Sequence, residues 1–130
     1  CIRDSCDVNP FGVEALIAAY NEGEEWLEEL KRYLFDNYNY LRRFFAKHLP
    51  EFPVTKLEGT YLVWVDCSAL KRTSENIVTS LLEQEKLWLN AGDMYGDTGE
   101  GFVRINIACP RQILIEGLER FRQWKNRNNY

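Results

Sequence analysis

The chain has 130 residues, 45% of them hydrophobic, which is enough for one domain with its own core and gives no sign of two. Sixteen basic residues stand against twenty acidic ones, and the net charge of -4 leaves no basic footprint for nucleic acid. No apolar run reaches membrane-spanning length, and the N-terminus lacks the charged-then-apolar form of a signal peptide, so neither a membrane nor secretion is indicated.

Asn9 is a good N-cap and Pro10 suits a first helical position, so a helix is predicted from Pro10 to about Asn21, with Val13, Leu16, Ile17 and Tyr20 at helical spacing. Gly23 breaks it. A longer helix is predicted from Glu24 to about Leu49, carrying Leu27, Leu30, Leu34, Leu41, Phe45 and Leu49 on one stripe. Glu24, Glu25, Glu28 and Glu29 suit its positive end, and Pro50 stops it. At roughly 1.5 Å per residue it is long for so small a domain. Tyr33, Phe35, Tyr38, Tyr40 and Phe44 widen its apolar surface, either as a broad core face or as an interface with a further domain or subunit. The interface reading predicts an exposed aromatic patch around Tyr33, Tyr40 and Phe44.

Val54 to Leu57 and Thr60 to Val65 read as a strand pair joined by Glu58-Gly59, the second rich in aromatic and β-branched residues and ended by Asp66. Thr73 or Ser74 caps a third helix to about Gln84, with Ile77, Val78, Leu81 and Leu82 inward, and Leu87 to Leu89 reads as a short strand. Gly92, Gly96, Gly99 and Gly101 follow within ten positions, a loop that turns sharply or approaches other backbone closely. Phe102 to Ile107 alternates at period two, placing Val103, Ile105 and Ile107 on one face and Phe102, Arg104 and Asn106 on the other. A last helix starts near Pro110 with Ile113, Leu114, Leu118, Phe121 and Trp124 as its stripe, and the tail from Asn126 to Tyr130 is predicted to fray. This order predicts an α+β fold, a small, mostly antiparallel sheet covered on one face by helices.

Arg104 is the residue whose placement demands most. A guanidinium among apolar strand residues needs an acidic partner, because it cannot shed its proton and an unpaired buried charge is costly. That partner is either a carboxylate of this chain or one on a ligand. Cys1, Cys6, Cys67 and Cys109 show no CxxC spacing, and the single His48 completes no zinc cluster, so reduced thiols and a cytoplasmic setting are expected, with no metal. Cys109 before Pro110 reads as a small buried side chain, since no base stands near it in sequence. Tyr61, after Gly59-Thr60, and Tyr95, inside the glycine loop, are further candidates to line a binding site. Each has a packing alternative.

The order Asn90-Ala91-Gly92, Tyr95-Gly96, Gly99-Glu100-Gly101-Phe102-Val103-Arg104-Ile105-Asn106 and Ala108-Cys109-Pro110-Arg111 resembles the C-terminal signature of class I/II pyridoxal-phosphate aminotransferases. Asn9-Pro10-Phe11-Gly12, Ala18-Ala19-Tyr20, Trp26-Leu27 and Glu58-Gly59-Thr60-Tyr61-Leu62-Val63-Trp64-Val65-Asp66 are similar to the cystathionine β-lyase-like branch, the carbon-sulfur lyases. The resemblance covers nearly the whole chain. It implies the C-terminal small domain of a pyridoxal 5'-phosphate (PLP) enzyme, an amino-acid substrate, an N-terminal PLP-binding domain of the same protein, and a homodimer. Arg104 matches the family's substrate-carboxylate arginine, whereas the family more often has phenylalanine at Tyr95.

The resemblance also implies that the Schiff-base lysine lies upstream of Asn9, so that these residues alone are inactive. The start at Cys1, without a methionine, fits a fragment. Three readings remain open. They are β-elimination from cysteine-derived amino acids to thiol, pyruvate and ammonia, transamination, and a non-catalytic α+β module that binds a carboxylate or a protein.

Overall fold

A computed structural model describes residues 9–128; Cys1, Cys6 and the last two residues of the predicted tail lie outside them. The chain divides into two compact units, Cys1–Tyr33 and Leu34–Tyr130. The first holds α1 (Pro10–Glu22) and the start of α2 (Glu24–His48). The cap of α1 forms as its sequence predicts, with Gly12 N donating to Asn9 Oδ1 at 2.8 Å and Pro10 in the first turn. Helical spacing does not bring burial, however. No residue of α1 is buried, and Val13, Leu16, Ile17 and Tyr20 all stand exposed.

The second unit is an α+β fold of β1 (Leu62–Asp66), α3 (Ser74–Glu85), β2 (Asn90–Ala91), β3 (Phe102–Asn106) and α4 (Arg111–Arg127), together with α2 from Leu34 onward. The strands form an antiparallel sheet in the order β1-β3-β2, so β3 is central. Its alternation divides the sheet into two faces. Val63, Val65, Ala91, Val103 and Ile105 line the inner one and are buried. Leu41 and Phe45 of α2, Ile77 and Leu81 of α3, and Leu114, Leu118, Phe121 and Trp124 of α4 complete the same core. Phe121 meets Phe45 and Trp124 edge-to-face, with centroids 5.4 and 5.6 Å apart, and Trp124 Nε1 donates to Ser80 Oγ at 2.8 Å, so the indole's polar atom is satisfied. The helices of this unit thus pack on one face of the sheet.

Several sequence expectations change. Val54 to Leu57 is not a strand beyond the single Val54↔Val65 bridge. The Tyr38 hydroxyl donates to Thr55 O and accepts from Leu57 N, both at 3.0 Å, taking the backbone groups a ladder would use. β1 starts at Leu62 rather than Thr60 because Thr60 is left-handed (φ 63). Leu87 to Leu89 is no strand either. Lys86 adopts the left-handed cap of α3 (φ 55) and Leu87 N turns back to Leu81 O, so pairing begins at Asn90. The aromatic patch on α2 also differs: Tyr33 is exposed, but Tyr40 is half-buried and Phe44 lies in the core. Leu82 and Ile113, expected inward, are exposed.

One buried polar residue joins α2 to the exit of β3. Asn37 has no exposed surface; its Nδ2 donates to Ile107 O (2.8 Å) and Cys109 O (3.1 Å), and its Oδ1 accepts from Arg111 Nε (2.6 Å). Truncation strands all three groups together. We expect Asn37→Ala to destabilise the fold by about 2–3 kcal/mol, measured by urea denaturation; a loss under about 0.5 kcal/mol, ordinary for a surface change, contradicts this.

Candidate functional site

Arg104 stands in the middle of the central strand, facing Trp64 of β1 on one side and Asn90 of β2 on the other. Directly opposed residues project from the same face, so Trp64, Arg104 and Asn90 form a row across the outer face, away from the helices. None of these neighbours is acidic. Among the described residues no carboxylate pairs with Arg104, and its buried Nε has no hydrogen-bond partner. The contact it does make is with an aromatic ring. The Tyr95 ring lies under the guanidinium, with Cζ 4.1 Å from the ring centroid, a cation–π contact. Tyr95 also meets Trp64 edge-to-face at 5.6 Å, and Trp64 meets Phe102 at 6.4 Å.

The glycine loop holds Tyr95 there by close backbone approach. A Cβ at Gly92 would lie 2.2 Å from Gly99 O, and one at Gly99 would lie 2.1 Å from Gly92 O, so the two glycines lock the loop into a closed crossing. Its far end is tied to α3. Gly101 N donates to Ser74 Oγ at 2.8 Å, Ser74 Oγ donates to Gly99 O at 3.3 Å, and Glu100 Oε1 accepts from Ser74 N at 2.8 Å. That carboxylate also sits favourably at the positive end of α3.

Two concavities flank this row. A cavity of about 310 Å³ is lined by Arg104, Asn90 and Asn106, but also by Leu114, Leu118 and Phe121, so it runs toward the helix side of the sheet. A recess of about 280 Å³ lies on the outer face between Trp64, Tyr95, Phe102, Thr55, Thr98 and Gly99.

Of the residues predicted from sequence, Arg104 and Tyr95 come together and Tyr61 does not join them. Tyr61 precedes β1, its carbonyl accepts from Ile107 N at 3.0 Å, and it lines neither concavity. Trp64 and Ser74 are site neighbours that the pattern read only as strand and cap residues; the β1–β3 register, which sequence does not state, brings in Trp64, and hydrogen bonds to the glycine loop bring in Ser74. Neither Cys67 nor Cys109 has an environment that favours the thiolate. Burial, with a smaller contribution from the Asp66 charge, pushes Cys67 up to about 12, and burial raises Cys109 as well. Among the described residues there is no cluster of metal-binding side chains, and no helix is long and apolar enough to cross a membrane.

Residues 7–121 match the family model of aminotransferase class I and II. The chain belongs to this family. It is 36% identical over 115 residues to the cystathionine beta-lyase PatB of Bacillus subtilis, a match covering 88% of this chain and 30% of that protein. It is 39% identical over 104 residues to the protein MalY of Escherichia coli, covering 80% and 27%. Its fold superposes on the PLP-bound C-S lyase from Staphylococcus hominis with a TM-score of 0.85 and 34% identity, over 94% of this chain and 33% of that one. The chain thus spans about a third of the length of these class I and II relatives.

The residues present fit one end of such a site. Arg104, unpaired and with a fork suited to a carboxylate, fits a substrate anion. No lysine stands at the concavities beside Arg104. Lys31, Lys47, Lys56, Lys71 and Lys86 are exposed, Lys125 pairs with Glu51 at 2.7 Å, and none lines the cavity or the recess beside Arg104.

The locked loop is testable apart from activity. Gly99→Ala must displace backbone and should cost about 1–3 kcal/mol, whereas a Cβ at Gly59 meets nothing within 4 Å and Gly59→Ala should stay within about 0.5 kcal/mol. Equal urea midpoints for the two variants contradict the close crossing.

Proposed function

We propose that this chain is the C-terminal small domain of a PLP-dependent carbon-sulfur β-lyase, in which Arg104 anchors the substrate's α-carboxylate. The observation that carries the reading is the guanidinium itself, on the central strand, stacked on Tyr95 and without an acidic partner among the described residues. No carboxylate among the described residues pairs with Arg104, so its charged fork is one that a ligand carboxylate completes with two parallel hydrogen bonds. The names of the matched relatives, a cystathionine beta-lyase and a C-S lyase, support the reaction class. In the complete enzyme, a cysteine-derived amino acid and water give thiol, pyruvate and ammonium.

PLP, when bound, acts as an electron sink for charge developing at the substrate's Cα. This chain's part is orientation. Fixing the carboxylate by two bonds in one plane sets which Cα bond faces the cofactor, and so which bond breaks. Tyr95, with its ring centroid 4.1 Å from the guanidinium carbon, restrains the fork's position and keeps water off one side of it. Tyr61 has no such placement, and the proposal does not use it. The lysine, the phosphate cradle and the acid at the pyridine nitrogen belong to an N-terminal domain of the same protein, and the complete protein is a homodimer.

Two experiments test this. In the complete PLP-loaded protein, Arg104→Lys keeps the charge and loses the fork, so kcat/KM for thiol and pyruvate release should fall about 100-fold or more; an unchanged value excludes Arg104 as the anchor. Release of a keto acid retaining the substrate's side chain, with no thiol, points to transamination instead. For these 130 residues alone, borohydride reduction with PLP should label no single lysine stoichiometrically. One stoichiometric lysine in the mass spectrum overturns the division of labour.

A further inference from the structure

We propose that Ser74, with Glu100, is a positioning pair for the carboxylate anchor. Ser74 touches no substrate; its buried hydroxyl holds the corner at which the loop carrying Tyr95 turns into the strand carrying Arg104. This rests on Arg104 as the anchor and names what sets its aim. Ser74 directs its hydroxyl away from its own helix. Thr73 already caps α3, with its Oγ1 accepting from Asn76 N at 3.2 Å. Ser74, which has no exposed surface, instead donates from Oγ to Gly99 O (3.3 Å) and accepts there from Gly101 N (2.8 Å), 25 and 27 positions along the chain.

The two backbone groups it bonds lie on either side of a corner. Gly99 ends the arm that leads back to Tyr95, and Gly101, left-handed at φ 81, opens the arm that runs into β3. One hydroxyl therefore sets the angle between the ring and the guanidinium. Glu100, between the two glycines, adds to the hold, its Oε1 accepting from Ser74 N at 2.8 Å and from Gly101 N at 3.2 Å. From the other side Cys67 N donates to Gly101 O at 2.8 Å, and a Cβ at Gly101 would lie 3.3 Å from Ser68 Cβ. The corner is thus gripped by α3 and by the end of β1. Arg104 follows Gly101 by three positions, past the fully buried Val103, so a tilt at the corner is passed on to the guanidinium. A carboxylate meets the fork through two bonds in one plane, and a small tilt weakens both together.

The test is the preference for acid over amide in the complete PLP-loaded protein, kcat/KM for S-methyl-cysteine against its carboxamide, measured beside urea midpoints. A loosened fold lowers both substrates alike and leaves the ratio; a misaimed fork lowers the acid alone. Ser74→Ala and Glu100→Ala should each cut the preference about tenfold, the effect of one lost hydrogen bond on an equilibrium. Glu100→Gln, which keeps an accepting oxygen, should return most of it. Thr73→Ala, which removes only the helix's own cap, should lower the urea midpoint and leave the ratio unchanged. Full preference in Glu100→Ala, or in a folded Ser74→Ala, overturns the proposal, as does an equal loss in Glu100→Gln or Thr73→Ala. If Ser74→Ala does not fold, Glu100→Ala decides. Preference kept in Arg104→Gln overturns the anchor and this inference together; preference lost in Arg104→Gln but in neither Ser74→Ala nor Glu100→Ala overturns the positioning alone.

Discussion

A guanidinium on the central strand of a small sheet is the constraint to which the rest of the second unit answers. It cannot be neutralised by losing a proton, and burial of its Nε without a partner carries a desolvation cost. Sheet alternation leaves two places for it, and the inner one is closed, since Val103 and Ile105 on either side of Arg104 are sealed under three helices. The outer face is therefore where the charge must go, opposite the core that the helices of this unit build. What stabilises the residue there is the π face of Tyr95, a contact that offsets part of the cost while leaving the fork's donors for something else.

That arrangement makes the glycine loop a support for the arginine. Tyr95 stays in place because Gly92 and Gly99 cross at a distance no side chain permits, and because Ser74 and Glu100 tie the loop to the start of α3. The helix in turn is held by Ile77 and Leu81 in the same core that fixes β3. Asn37 closes the other end, fastening the exit of β3 and the entry of α4 to α2 through three hydrogen bonds. The arginine is thus presented on a strand braced at both ends, which suits the anchoring role proposed for it.

Much of this was legible in the residues themselves. The alternation of Phe102 to Ile107, the caps at Asn9 and Thr73, and the apolar stripe from Leu114 to Trp124 each state their structure locally, by a period or a side chain that satisfies a nearby amide. What was not legible depends on distant partners. Val54 to Leu57 has strand composition, yet the Tyr38 hydroxyl, nineteen positions from Leu57 in the chain, takes its hydrogen-bonding groups. Leu87 to Leu89 fails as a strand through a left-handed Lys86, a helix-capping conformation that a lysine does not advertise. At the site, sequence pointed to Arg104 and Tyr95 separately, and only the β1–β3 register sets Trp64 beside them. Tyr61 lines neither concavity for the complementary reason: three positions before Trp64, it is out of step with the row that faces Arg104.

The most direct test of the central claim removes charge from the ligand and from the protein in turn. For the complete PLP-loaded enzyme, kcat/KM is measured for S-methyl-cysteine and for its carboxamide, with Arg104 and with Arg104→Gln. If Arg104 holds the α-carboxylate, the unsubstituted enzyme should favour the acid over the amide by about 100-fold or more, and the preference should largely vanish in Arg104→Gln. The same preference in both proteins would place the carboxylate elsewhere and contradict the account.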